Sequence, residues 1–253
     1  MSGGRIPSPP FINQILIQTG ENMAHAQAKT MTAASAVKFN RFLALVYLVM
    51  ALGMAVTALV STAVSTNPEL MKRILFYPWF TFGLFLLQIV VVVFLSGAVQ
   101  RMSTGAALLL FLLYSALTGL ALSSIFIYYS QTTISYTFWV TAGMFLFGSI
   151  VGLFIKGDMS GIGRFLMLCL LGWLFGWIFV LFFPFSPGLN QAMNFTGIML
   201  FAALTVWDTN RLKALSTELE GKQGMGGLVV IGALALYLDF INLFLLLLRT
   251  SRR

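Results

Sequence analysis

Seven long apolar runs constrain this chain more than anything else: Phe42–Val64, Ile74–Val99, Gly105–Tyr128, Ser135–Ile155, Phe165–Phe183, Met193–Leu212 and Leu228–Leu248. A helix needs about 20 apolar residues to cross the hydrocarbon layer of a bilayer, and each run supplies roughly that length. Composition agrees, since 59% of the residues are hydrophobic and 9% are charged. A soluble domain carries roughly 25% charged residues to cover its surface. The expected fold class is therefore an all-α integral membrane protein, a bundle of about seven transmembrane helices. Residues 1–40 read as a polar, disordered cytoplasmic tail and 41–253 as the transmembrane domain. The stretch Met1–Ala36 lacks the basic, apolar and small-residue sequence of a cleaved signal peptide.

The net charge of +8 does not point to nucleic acid, because the basic residues stand singly or in pairs between apolar runs, without interleaved aromatics. They read as topology signals. With the N-terminus inside, Arg5, Lys29, Lys38, Arg41, Arg101, Lys156, Arg164, Arg211, Lys213 and Lys222 fall on the cytoplasmic side. Only Lys72, Arg73, Arg249, Arg252 and Arg253 fall opposite, so the positive-inside rule favours N-in and C-out. The basic C-terminus conflicts mildly with that orientation, and a re-entrant seventh segment would remove the conflict.

Enzyme chemistry finds little to work with. The one histidine, His25, lies in the polar tail, so a zinc HExxH site or a histidine-based triad inside the bundle is excluded. No phosphate-binding GxxxxGK[ST] loop occurs, and the single Cys169 allows neither an intramolecular disulfide nor a cysteine metal cluster. No enzyme activity and no cofactor are expected. An intramembrane aspartyl protease would need only two membrane carboxylates and is kept as a minor alternative.

Two carboxylates do lie inside apolar runs, Asp208 and Asp239. Inserting a charged residue near the centre of a span costs at least about 2.5–3.5 kcal/mol, which makes each a functional-site candidate. Gly232, Ala235, Asp239 and Asn242 recur along one side of a helix, giving the seventh span a small, polar stripe suited to a buried helix or a water-accessible path. Asp208 stands a few residues before the end of its run, where Arg211 can pair with it at i, i+3, and Thr205 stands one turn earlier. Arg101, after the second run, reads either as a topology anchor or as a latch, because it falls in the same leaflet as Asp208. The spacings Gly148/Gly152 and Gly172/Gly176 predict close helix packing, with dimerisation the less favoured use.

At these residues the chain resembles the Bax inhibitor-1 family, also called the transmembrane Bax inhibitor motif family. The resemblance is carried by Tyr237-Leu238-Asp239-Phe240-Ile241-Asn242-Leu243-Phe244, by Trp207-Asp208-Thr209, by Leu117–Ser123, and by the Gly152–Gly163 stretch with Lys156, Asp158 and Ser160. It covers roughly residues 40–249. The resemblance implies a bundle with its last helix central, and a pH-sensitive calcium leak in bacterial members. It places the family's aspartate pair on Asp208 and Asp239, where calcium would be held weakly and in transit, and the latching arginine on Arg101. Asn242, Thr205 and Arg211 stand as supporting residues. Calcium and protons are then the cargo, the lipid bilayer the surroundings, and a membrane protease a candidate partner.

Two readings of function follow. One is a proton-gated cation leak. The other is a membrane-embedded modulator of a quality-control protease or of cell-death factors, touching its partner through the N-terminal tail. Short loops and the lack of organelle signals favour a bacterial inner membrane over the endoplasmic reticulum.

Overall fold

Prolines and polar caps set where the apolar runs become helices. In the computed structural model, which describes residues 39–157, 159–180, 182–183, 186–218 and 225–251, the helices are α1 (Phe39–Ser65), α2 (Pro68–Phe76), α3 (Pro78–Ala98), α4 (Thr104–Leu122), α5 (Ile125–Tyr128), α6 (Gln131–Phe154), α7 (Ser160–Val180), α8 (Pro187–Glu218) and α9 (Met225–Thr250). A 3-10 turn, Val99–Arg101, follows α3. The expected tail, with Arg5, His25 and Lys29, lies outside the described residues, as do Asp158 and Lys222. Everything below concerns the helical body, Phe42–Arg253.

Seven stretches are long and apolar enough to cross a membrane, with α4 and α5 together making the third. No strand occurs among the described residues. The outer surface is what lipid requires: Trp79 is 84% exposed, Phe154 79% and Met199 73%. A water-soluble monomer rarely exposes so continuous an apolar belt. The chain is thus a multi-pass, all-α membrane protein.

Three boundaries differ from the sequence expectation. The second apolar run, expected from Ile74, is divided at Tyr77, because Pro78 cannot continue a helix entered from its N-terminal side. The piece before it is α2, whose start is capped by Asn67 Oδ1 accepting from Glu69 N at 3.1 Å and Leu70 N at 3.2 Å. Met71 and Ile74 bury one face of α2 against Val64, Val60 and Leu120. The third run breaks after Leu122, where Ser123 Oγ donates to Leu120 O at 2.7 Å and Ser124 Oγ to Ala121 O at 3.2 Å. Such back-bonding competes with the helix's own hydrogen bonds.

The third difference is the length of α8, which begins at Pro187 and ends at Glu218. Asp208 therefore stands more than two turns inside the helix rather than near its end. The polar residues that closed the hydropathy window continue the helix because neighbouring helices use them. Asn210 Nδ2 donates to Gly152 O at 3.2 Å and Ile155 O at 3.0 Å, and Lys213 Nζ donates to Leu153 O at 2.8 Å. These bonds satisfy the carbonyls that the C-terminus of α6 leaves open.

The last helix is central. The span Gly226–Thr250 is 61% buried, well above the 39% of the next most buried span. Its Leu234, Leu236, Tyr237, Phe240 and Leu243 are all buried, so bulky residues as well as the small stripe face protein. It is one unbroken helix of 26 residues, long enough to cross a bilayer.

Candidate functional site

The site forms where α6, α8 and α9 approach one another closely. Gly148 and Gly152 of α6 face α8: a methyl group at Gly148 would lie 3.4 Å from Thr205 Cγ2, and one at Gly152 would strike Val206 O. The first of the two glycine spacings thus does what small residues do in membranes, letting two backbones meet. The second does not, since Gly172 has nothing within 4 Å and Gly176 meets only the Met193 side chain. On α9, Gly232 admits Leu212 of α8 and Val46 of α1. Across the α6–α8 contact, Thr209 Oγ1 donates to Ser149 Oγ at 3.4 Å.

This packing brings Asp208 and Asp239 together. Their side chains lie within hydrogen-bonding reach of each other, and Thr205 lies within reach of Asp239. A hydrogen bond between two carboxyl groups requires a proton on one of them. Both groups are buried, at 7% and 4% exposure. Thr205 Oγ1 also donates to Phe201 O at 2.9 Å, and with one proton to give it serves the backbone or Asp239, not both. Among the described residues, no N–H or hydroxyl donates to the buried Asp239 Oδ2. A buried polar atom in that state costs roughly 1–3 kcal/mol and needs a reason.

The remaining expected residues are spread around this pair. Arg211 is the cation whose field acts on Asp208, and its guanidinium lies over the Trp207 ring, 5.4 Å from the centroid. Asn242 does not join the pair; its Nδ2 donates to Leu238 O at 2.8 Å, one turn back on its own helix. Arg101 is exposed on the 3-10 turn. That turn lies where α9 begins, since a methyl group at Gly227 would sit 3.3 Å from Val99 O. Among the described residues the one ion pair within 4 Å is Lys72–Glu69 at 3.0 Å, so neither arginine pairs with a described carboxylate.

Among the buried polar groups that the sequence did not single out is a hydroxyl on the central helix. Tyr237, fully buried, lies 2.6 Å from Thr57 Oγ1 of α1. Its ring packs edge-on against Phe111, with centroids 5.6 Å apart, and against Tyr114 at 6.0 Å. Counted among the bulky residues of α9, it carried no charge to draw notice; its position two residues before Asp239 places it on another face of the helix.

Chemically, the site offers two carboxylates and a hydroxyl. No cluster of three or more histidine, cysteine, aspartate or glutamate side chains occurs among the described residues. A tight calcium site takes six to eight oxygens, so this set suits weak, passing contact with a divalent cation.

A family model described as inhibitor of apoptosis-promoting Bax1 matches residues 39–251, which include Arg101, Asp208, Asp239 and every span. The chain belongs to the Bax inhibitor-1 family. Among its Bax inhibitor-1 relatives is the inner membrane protein YbhL of Escherichia coli K12, 40% identical over 210 residues that cover 82% of this chain and 89% of YbhL. An uncharacterized protein of Borreliella burgdorferi is 40% identical over 215 residues, covering 83% and 90% of the two chains. One from Deinococcus radiodurans is 36% identical over 234 residues, covering 92% and 97%. The family expectation drawn from the Tyr237–Phe244 segment therefore holds.

Proposed function

We propose that this Bax inhibitor-1 family protein is a passive, pH-sensitive calcium leak, gated by the Asp208–Asp239 pair and by Arg101 acting as a latch. The observation that carries the reading is the pair itself. Two buried carboxyl groups, one on α8 and one on the central α9, lie within hydrogen-bonding reach of each other, and one Asp239 oxygen receives no N–H or hydroxyl among the described residues. An ionisable group inside a membrane bundle is costly and marks an ion or proton pathway by default. The proposed role needs neither enzyme chemistry nor a cofactor, calcium being the cargo.

The sign of the pH dependence follows from the charges. When Asp208 is ionised, a nearby arginine holds it through an attraction that reduced dielectric strengthens. Protonation removes that attraction, so opening becomes easier as pH falls. A pair that shares a proton, with Arg101 paired to no described carboxylate, is the arrangement expected of the released form. Weak coordination lets calcium enter and leave, as conduction demands. The name of the Escherichia coli relative supports a bacterial inner membrane, and the basic residues support an N-terminus in the cytoplasm.

Calcium flux into liposomes that contain this protein alone tests the proposal. Flux should appear without any other protein and increase from mildly alkaline to mildly acidic pH. Absence of flux at every pH, in protein shown to be folded, would favour the modulator reading instead.

A further inference from the structure

The end of the bundle where α7 begins, cytoplasmic in the proposed orientation, carries a second feature that shares Arg211 with the surroundings of the aspartate pair but does not rest on any transport. Between α7 and α8 runs a groove of about 790 Å³. Arg164 and Arg211 stand on its two walls at the same end, with Asn210 beside them. Trp207 forms its floor, pressed so closely on α7 that a methyl group at Gly163 would overlap the indole. From Arg164 the lining continues down α7 through Met167, Leu168 and Leu171, the i+3, i+4 and i+7 positions of one helix face.

We propose that this groove binds one anionic phospholipid, its phosphate between Arg164 and Arg211 and an acyl chain along Leu168 and Leu171. Charge is the first argument. Among the described residues no acidic side chain lines the groove, and none pairs with Arg164 or Arg211 within 4 Å. Asp208, one turn before Arg211, is buried against Asp239 rather than in the groove. The guanidinium is a planar fork of donors matched to phosphate oxygens. Basic pockets between spans on the cytoplasmic side bind anionic headgroups in this way.

Access is the second argument, and it selects lipid over free phosphate. The span formed by α7 is the least buried of the seven, at 11%. Leu168 is 68% exposed and Leu171 55%, so the apolar half of the groove opens sideways to hydrocarbon. A soluble anion would use the arginines and leave that half uncovered. A phospholipid covers both.

Full-length protein in an uncharged detergent, mixed with phosphatidylglycerol or phosphatidylcholine, tests the inference through retained lipid by native mass spectrometry and through thermal midpoint. Phosphatidylglycerol should be retained preferentially and should raise the midpoint above the phosphatidylcholine value. Each of Arg164→Gln and Arg211→Gln should reduce the preference by about fivefold, the order expected for one basic residue at an anionic surface. The Arg164→Lys/Arg211→Lys double variant should keep most of it. Equal retention of the two lipids by the wild-type protein would overturn the proposal, and that reading needs no variant to fold. A preference that survives both glutamine changes, or a midpoint shift reproduced by inorganic phosphate alone, would overturn it equally.

Discussion

Two buried polar clusters lie on opposite flanks of α9, only two residues apart in sequence, and they are built differently. On the flank toward α1 and α4, Thr57 Oγ1 has Gly53 O at 3.0 Å and Ser115 O at 2.9 Å for its own proton, which leaves Tyr237 to donate to it at 2.6 Å. Every group there is neutral. Toward α8, Asp239 meets another carboxyl group and a threonine that has a competing acceptor, and among the described residues no N–H or hydroxyl donates to Asp239 Oδ2. A satisfied buried network fixes helix packing, whereas a half-satisfied one is costly and persists where it is used. On the proposed function, the tyrosine flank serves stability and the aspartate flank serves the gate.

The change expected to break this arrangement most severely lies behind the aspartates. Gly152→Leu would drive a branched side chain into the backbone of α8 at Val206. Overpacking of a core costs typically about 1–3 kcal/mol, and contact with backbone leaves little room for relief. Folded yield and thermal midpoint in detergent should fall together. Gly172→Leu, at a position with open space around it, should leave both near wild type.

Next in size is the functional test of the aspartate flank. Asp239→Asn should reduce calcium flux several-fold and flatten its pH dependence, because one member of the titrating pair is gone. The thermal midpoint should hold or rise, since a neutral amide costs less to bury than a carboxylate. Flux and stability falling in parallel would mean the pair is structural and the comparison is wrong.

Tyr237→Phe should do the reverse. Losing one buried hydrogen bond costs about 1 kcal/mol, read as a lower midpoint, while the shape of the flux-against-pH curve stays unchanged. The smallest effect separates the two arginines. Arg101→Ala should raise flux at neutral and mildly alkaline pH and change it little in acid, where the latch is already released. Arg211→Ala should shift the curve if Arg211 holds Asp208 instead, and the ratio of mutant to wild-type flux against pH tells which arginine acts.

Charge and apolar run length made much of this legible. A carboxylate in an apolar run announces its cost, so Asp208 and Asp239 stood out in the sequence, and the structure brings them into contact. Neutral hydroxyls and amides carry no such signal, and Thr57, Tyr237 and Asn210 take their meaning from the helix each one faces. Hydropathy marks where lipid contact ends, not where a helix ends. For that reason α8 outran its apolar window at Lys213, whose ammonium caps α6. The break at Tyr77–Pro78 was written in the sequence as a proline but was outweighed by the apolar residues on both sides.

The claim on which the rest depends is that Asp208 and Asp239 hold one proton between them. Infrared difference spectroscopy of the reconstituted protein measures it through the carbonyl stretch of a protonated carboxylic acid, which exposed carboxylates do not show at neutral pH. The wild-type protein should show that band at neutral pH and lose it as pH rises, and the Asp208→Asn/Asp239→Asn double variant should lack it throughout. A wild-type spectrum without the band at neutral pH, or a band unchanged in the double variant, would contradict the shared proton and the gate built on it.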